Sequence, residues 1–373
     1  MNRLVLIGNG FDLAHGLKTN YTDFIDWYWE QWRFRLLGSD KKNETDGLCS
    51  FKLKDSVGLH SWSLVWGYHY KRTNIQVSWK EIDVVDIARN DKDLCDFEYN
   101  SSFFQRMNQS IETKGWVDIE NEYYAQLIHL RTKDEYCILN KQLEIVRDLL
   151  KKYLEFELDN RKAVNVIASI KNKMNQSVPK EEMAVESELH RSIFNEPLGI
   201  NNVMLLSFNY TPIANIYENT FRIRSVNYIH GKLNNPESII FGYGDELDDD
   251  FNRLLKLNEN ECLRHIKSVR YLESDNYRRM LEFIESDYFQ VCIMGHSCGN
   301  SDRTLLNTIF EHKNCISIKP YYYKKEDGTD NYIELIQNIS RNFKDMKLMR
   351  DRVVNKEYCE PLIGEKPGVV VMG

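Results

Sequence analysis

LVLIGNGFDLAHG, residues Leu4 to Gly16, is the stretch whose reading decides the fold. Leu4, Val5, Leu6 and Ile7 form an apolar run too short for a helix, and they read as a buried strand of a parallel sheet. Gly8, Asn9 and Gly10 follow, and glycine lets the backbone turn sharply and come close to a ligand. A helix starting there, with Phe11, Asp12 and His15 in its first turns, would aim free N–H groups at whatever fills the turn, most often a phosphate. The dinucleotide fingerprint wants a third glycine three residues after the second; Leu13 stands at that position, and Gly16 comes late. Taken alone, the stretch also reads as a generic strand–turn–helix connection.

The bulk properties narrow the classes. A chain of 373 residues holds one large α/β domain with insertions, or two domains. The net charge of −7 offers no basic stripe, so direct nucleic-acid binding is not expected. No segment has the apolar length of a membrane span, and no signal-peptide pattern opens the chain, so the expected location is cytoplasmic. The eight cysteines contain no C-x-x-C pair, which argues against a zinc ribbon and a disulfide framework. They read as buried thiols, and Cys298 is notable for lying inside a candidate ligand loop.

Working outward, the chain divides into a core of residues 1–19 and 201–350, a mostly helical insertion at 20–200, and a tail at 351–373. Phe24, Tyr28, Trp32 and Leu36, widened by Ile25 and Trp29, predict an amphipathic helix, and such a stripe is core more often than a cofactor box. Gln76 to Trp79 suggest strands, and 41–47 (KKNETDG) reads as an exposed loop. Leu139, Leu143, Val146, Leu150 and Tyr153 predict a second helix, packed against one around Val164, Ile167 and Ile170. Beyond Val203, strands are expected at 203–208, 225–229, 239–241, 290–295 and 315–318. Helices are expected at 212–221 and, capped by Ser301, from there to His312. Repeated strand–helix–strand units imply a Rossmann-like parallel sheet with helices on both faces, joined by the first strand despite its distance in sequence. The tail PGVVVMG reads as either an extra edge strand or disordered.

Ligands of open parallel sheets bind beyond the carboxyl ends of the strands. Those ends here carry Gly8-Asn9-Gly10-Phe11-Asp12, Asn209-Tyr210, His230-Gly231, Gly242-Tyr243-Gly244-Asp245 and Gly295-His296-Ser297. Small, amide, imidazole and carboxylate residues thus gather at one expected edge.

In this order, GNGFDLAHGLKTNYTDF at the start, WVDIE at 116–120, SFNYT at 207–211, YIHG at 228–231, FGYGDE at 241–246 and IMGHSCGNSD at 293–302 resemble the AbiH family of phage abortive-infection proteins. The set also resembles the sirtuin-like branch of the DHS-type NAD-binding fold. That resemblance implies NAD as substrate or ligand, with Gly8 and Gly10 at the pyrophosphate, Asn209 positioning ribose and water, and His230 as the base. Asn9, Phe11, His15, Tyr210, Gly231, Gly242, Asp245, His296 and Asp302 join the expected lining, and Gly295 to Ser297 match the turn on the adenosine side. The sirtuin zinc module is absent, so protein deacylation is not implied, and Thr211 stands where relatives often carry an acid. A phage-derived trigger or partner protein, or a homo-oligomer, is compatible with the family.

The chemistry of these residues suits cleavage of a glycosidic bond. Nicotinamide leaves as a neutral group, and the transition state is oxocarbenium-like. A base is needed for water or a ribose hydroxyl, and histidine titrates in the right range. Asp12 reads either as a stabiliser of the developing positive charge or as a helix cap. His230 is balanced between catalysis and structure, while His296 and His15 each have structural readings. The acidic run Asp245, Glu246, Asp248, Asp249 and Asp250 reads as a solvated loop or first helical turn, or as the ligands of a metal-dependent nuclease. No metal is expected for the glycohydrolase. The rival readings are therefore a nucleotide sensor without turnover and that nuclease.

Overall fold

In the computed structural model, residues 1–65, 83–114, 118–161, 163–187, 190, 196–218 and 222–364 are described. The strands are β1 (Asn2–Ile7), β2 (Asn43–Thr45), β3 (Cys49–Leu53), β4 (Cys95–Tyr99), β5 (Val203–Ser207), β6 (Ile223–Tyr228), β7 (Phe289–Met294) and β8 (Cys315–Tyr321). Contacts divide the chain into two units, Met1–Thr19 with Leu154–Gly373, and Asn20–Tyr153.

The first unit is built on a five-stranded sheet in the order β6-β5-β1-β7-β8, and each neighbouring pair is parallel. Leu4 and Leu6 share one face with Leu206, Val291, Ile293 and Ile318, under helices Asn276–Ser286, Arg303–Phe310 and Tyr332–Arg341. Val5 and Ile7 share the other with Leu205, Cys292 and Met294, covered by Ile170 and Met174 of helix Ala168–Asn175 and by Tyr217. Helices on both sheet faces explain why the opening run is apolar at every position instead of alternating.

Arg3 is the exception, fully buried in β1. Its Nε and Nη2 donate to Gln290 Oε1 at 3.0 and 2.7 Å, and its Nη1 donates to the carbonyls of Lys173 and Met174. Such a charge is tolerated inside because its donors are satisfied. These bonds also fasten 173–174 to the sheet. Residues 154–200, expected within the insertion, therefore belong to the sheet unit from Leu154 onward.

In the second unit, β2, β3 and β4 form an antiparallel sheet in that order. The expected stripe is found on helix Tyr21–Leu37, which buries Phe24, Ile25, Tyr28, Trp32 and Leu36 and is capped by Asn20 Oδ1 accepting from the Asp23 amide. Trp32 meets Phe51 at 4.7 Å between ring centroids, and Phe51 meets Phe97 at 4.9 Å, so aromatic packing joins helix to sheet. The 41–47 stretch is not wholly loop: Asn43–Thr45 pairs with β3 as an exposed edge, and Asp46 Oδ1 closes the turn by accepting from the amides of Leu48 and Cys49. The long helix runs Lys133–Asp159, as its spacing predicts.

Other elements differ from expectation. Residues 239–241 are buried but lie in no strand; Ile240 instead donates its amide to the His230 carbonyl. The 212–221 helix is a 3-10 segment, Pro212–Tyr217. Val164 precedes its helix, which starts at Ala168. The helix expected to be capped by Ser301 begins at Arg303, after a 3-10 turn Asn300–Asp302. Gln76–Trp79 and residues 367–373 lie outside the described residues. Among the described residues, no helix is long and apolar enough to cross a membrane.

Candidate functional site

β1 lies between β5 and β7, and the sheet continues outward from each, to β6 on one side and β8 on the other. Sheets of this kind bind ligands where the strand order reverses, at the carboxyl ends. The turns after β1 and β7 meet at that point. Gly10 donates its amide to the Gly295 carbonyl at 2.8 Å, and Gly8 donates to that of Met294 at 3.4 Å. A Cβ on Gly8 would stand 2.5 Å from the Cα of His296, and one on Gly295 would stand 2.1 Å from the Phe11 nitrogen. Gly295 also has φ +78°, a conformation that side-chain-bearing residues rarely adopt. The glycines are thus required for two loops to interlock. Their N–H groups, expected to face a phosphate, are spent largely on this contact.

His230, after β6, is 3 % exposed. Its Nε2 lies 3.2 Å from Asp302 Oδ1 and 3.3 Å from the Tyr271 hydroxyl. Lys267, fully buried, places Nζ 2.8 Å from the same Oδ1. His296 turns Nε2 towards Asp302 Oδ2 at 3.6 Å, while its Nδ1 accepts the Cys298 amide at 3.0 Å, which fixes the proton on Nε2. Cys298 reaches that geometry with φ +55°, and Asn342 Nδ2 holds its carbonyl at 2.9 Å. The Phe208 ring lies against His296, 4.0 Å between centroids, and edge-on to His230. Asp302 is therefore a hub between two imidazoles and an ammonium.

The electrostatics follow from that arrangement. Burial pushes the His230 imidazole down to about 4, Lys267 pushes the same way, and Asp302 only partly opposes them, so the ring is neutral at pH 7. Burial drives the Asp302 carboxyl upward, but Lys267 and the imidazoles outweigh it and hold it well below the usual carboxylate range. Since Asp302 accepts the Nε2 proton, the neutral ring carries its lone pair on Nδ1. Among the described residues, no group of three or more His, Cys, Asp or Glu is placed to hold a metal ion. The ammonium of Lys267 is the cation of this cluster. Neither Lys267 nor Tyr271 was singled out by the sequence reading.

A second polar group adjoins the β1 and β5 ends. Asn209 donates Nδ2 to the Gly8 carbonyl at 3.0 Å, and Thr211 donates its hydroxyl to Asp12 Oδ2 at 2.5 Å. Asp12 is buried inside its helix and caps nothing there with its side chain. Burial raises its carboxyl to about 7, against the opposing pull of Thr211 and Asn209. From about pH 4 to 7 Asp12 ionises only in the unfolded chain, so its contribution to stability is present below that window. It is lost as pH rises through about 7, a loss on the order of 4 kcal/mol. Urea unfolding of Asp12→Asn at pH 4 and pH 8 tests this: relative to wild type, the variant gains a few kcal/mol over that interval, and a pH-independent difference contradicts it.

Several expected ligand residues serve the fold. His15 uses both ring nitrogens, on the Phe11 carbonyl at 2.7 Å and the Tyr217 hydroxyl at 2.8 Å, and Phe11 is core. Asn9 is exposed and accepts from Thr19. Asp245 holds Arg303 at 3.1 Å and the Leu247 amide. Gly231 and Gly242 lie against the backbone of Ser238 and His265. Tyr210 is half-buried and donates to the Ile240 carbonyl, and Ser297 is exposed with its carbonyl on Asn338. In the acidic run, Asp248 caps helix Asp249–Leu255 and Asp250 pairs with Arg253, so both behave as a capped first turn.

The family model described as Bacteriophage abortive infection AbiH matches residues 4–323. No curated protein and no solved structure matches the chain. The matched region runs from β1 into the end of β8 and includes each residue of the Asp302 cluster. The chain belongs to the AbiH family and has the family's role in abortive-infection defence against bacteriophage.

Proposed function

We propose that this defence protein is an NAD glycohydrolase with a Rossmann-like, DHS-type core. The observation that carries the reading is His230, held by ionised Asp302 through Nε2 at the carboxyl edge of a parallel sheet, with no hydrogen-bond partner on Nδ1 among the described residues. The strand order, β1 central with β5-β6 on one side and β7-β8 on the other, is that of doubly wound dinucleotide-binding sheets.

In this reaction the bond between ribose C1′ and the nicotinamide nitrogen breaks, and its electron pair leaves on neutral nicotinamide. Water supplies the new C1′–O bond and gives one proton to His230 Nδ1, which passes it to solvent. The products are nicotinamide, ADP-ribose and a proton. Asn209, fixed on Gly8, orients the ribose or the water without adding charge. The nucleotide lies over the outer rim of the interlocked turns, where Asn9 and Ser297 are exposed and Gly10, Asn209 and Tyr210 are half-buried. Tyr271 runs parallel to the His230 ring with its hydroxyl 3.3 Å from Nε2, the nitrogen that Asp302 also holds, and not on the proposed base nitrogen.

The test is nicotinamide release from NAD by the purified protein. Loss of a general base lowers such rates about 10²–10⁴-fold, so His230→Ala is expected to lose at least about 100-fold. NAD binding in calorimetry with no release from wild type would replace this reading with that of a nucleotide sensor.

A further inference from the structure

We propose that Lys267 is a positioning residue, the fixed positive charge that keeps Asp302 ionised and so holds the proton of His230 on Nε2 and its lone pair on Nδ1. Its use in turnover rests on the glycohydrolase reading; its effect on the imidazole does not.

The argument is one of proton placement in a closed cluster. Lys267, His230, His296, Ser301 and Asp302 are all buried, so no charge among them is screened by bulk water. Without a cation, a buried carboxylate between two imidazoles has two cheaper states than staying ionised alone. It can take a proton itself, and the resulting hydroxyl then donates to His230 Nε2, which drives the ring proton to Nδ1. Alternatively, the proton goes to His230, and both ring nitrogens then carry hydrogen. Either state removes the Nδ1 lone pair.

Lys267 opposes both states. At 2.8 Å from Oδ1 its ammonium stabilises the carboxylate, and its charge disfavours a second cation on His230. Among the described residues it is the one lysine or arginine ion-paired with Asp302. The other titratable groups facing His230 and Asp302 are His296 and Cys298 on the 296–302 loop, and Tyr271 from the segment that carries Lys267. The Cys298 thiol is pushed up by burial and then by Asp302, and neither a thiol nor the Tyr271 phenol can carry positive charge. The chain holds Lys267 in place through its own amide on the Tyr243 carbonyl at 2.8 Å and by packing its Cβ against Gly244.

Nitrogen-detected NMR of the ring, assigned with a His230→Gln sample, reads the effect without any turnover. In wild type His230 is neutral, protonated at Nε2, and titrates near 4. In Lys267→Met it is expected to titrate above the wild-type value, because burial remains but the lysine charge is gone, or to move its proton to Nδ1. Lys267→Gln keeps a hydrogen bond to Asp302 without the charge and is expected to behave like Met, while Lys267→Arg restores the wild-type tautomer. An unchanged titration and tautomer in folded Met or Gln variants overturns the proposal. So does a wild-type His230 that titrates at 6.5, whether or not any variant folds. If wild type releases no nicotinamide, the glycohydrolase reading fails while these spectra still decide the role of Lys267.

Discussion

Gly295→Ala is expected to destabilise the sheet unit by at least about 4 kcal/mol, which places it among the exceptional single substitutions. Two costs combine. The residue has φ +78°, and a non-glycine residue held there costs about 1–3 kcal/mol. The new Cβ would also meet the Phe11 nitrogen at 2.1 Å and the Gly10 carbonyl carbon at 2.5 Å, both backbone atoms that no rotamer change can move aside. Relief requires the turns after β1 and β7 to separate, which breaks the Gly10–Gly295 hydrogen bond at the sheet's centre. Gly299→Ala is the control in the same loop. Its Cβ would have only the Ser297 hydroxyl at 3.6 Å, and its φ is −68°, so it is expected to cost less than about 1 kcal/mol. Urea unfolding of both variants decides the matter; equal stabilities would show that the loops are not interlocked.

The same turn shows what the sequence could and could not convey. The apolar runs of β1, β5, β7 and β8 were legible because strands buried on both faces show no polar alternation. The run 239–241 looks identical but pairs with no strand, Ile240 spending its amide on the His230 carbonyl, and a short apolar stretch does not distinguish strand pairing from burial. Glycine after a strand announces close approach, yet not to what: Gly8 and Gly10 approach another backbone turn. His230 and His296 were visible as strand-end residues and Asp302 as an expected lining residue, and they meet. Asn209 and Asp12, also visible, sit beside them at the β1 and β5 ends. Lys267 was invisible because LRHIKSVR reads as an ordinary basic surface segment. Its burial depends on Tyr243, Gly244 and Asp302, which lie 23 or more positions away in sequence. His15 was hard to place for the same reason, since Tyr217, which occupies its Nε2, lies 202 positions away in sequence.

Asp302→Asn is the change expected to reach both stability and chemistry. It strands the ammonium of Lys267 in a buried site, and breaking a buried ion pair from one side costs about 3–5 kcal/mol. It also removes the charge that fixes the His230 tautomer, so nicotinamide release should fall by about 10²–10⁴-fold. These two effects are separable. Adding Lys267→Met to Asp302→Asn leaves a neutral amide between the two imidazoles and removes both charges of the buried pair. Replacing a buried pair as a whole is often close to neutral, so the double variant is expected to recover at least about 2 kcal/mol of the single variant's loss. Its activity should not recover, because an amide does not hold the ring proton on Nε2 as a carboxylate does: its oxygen and nitrogen serve either tautomer. Urea unfolding of wild type, both single variants and the double, each assayed alongside for nicotinamide release, closes the cycle. Additive losses in stability would mean that Lys267 and Asp302 are not an energetic pair, and restored turnover in the double variant would mean that the carboxylate does not set the base.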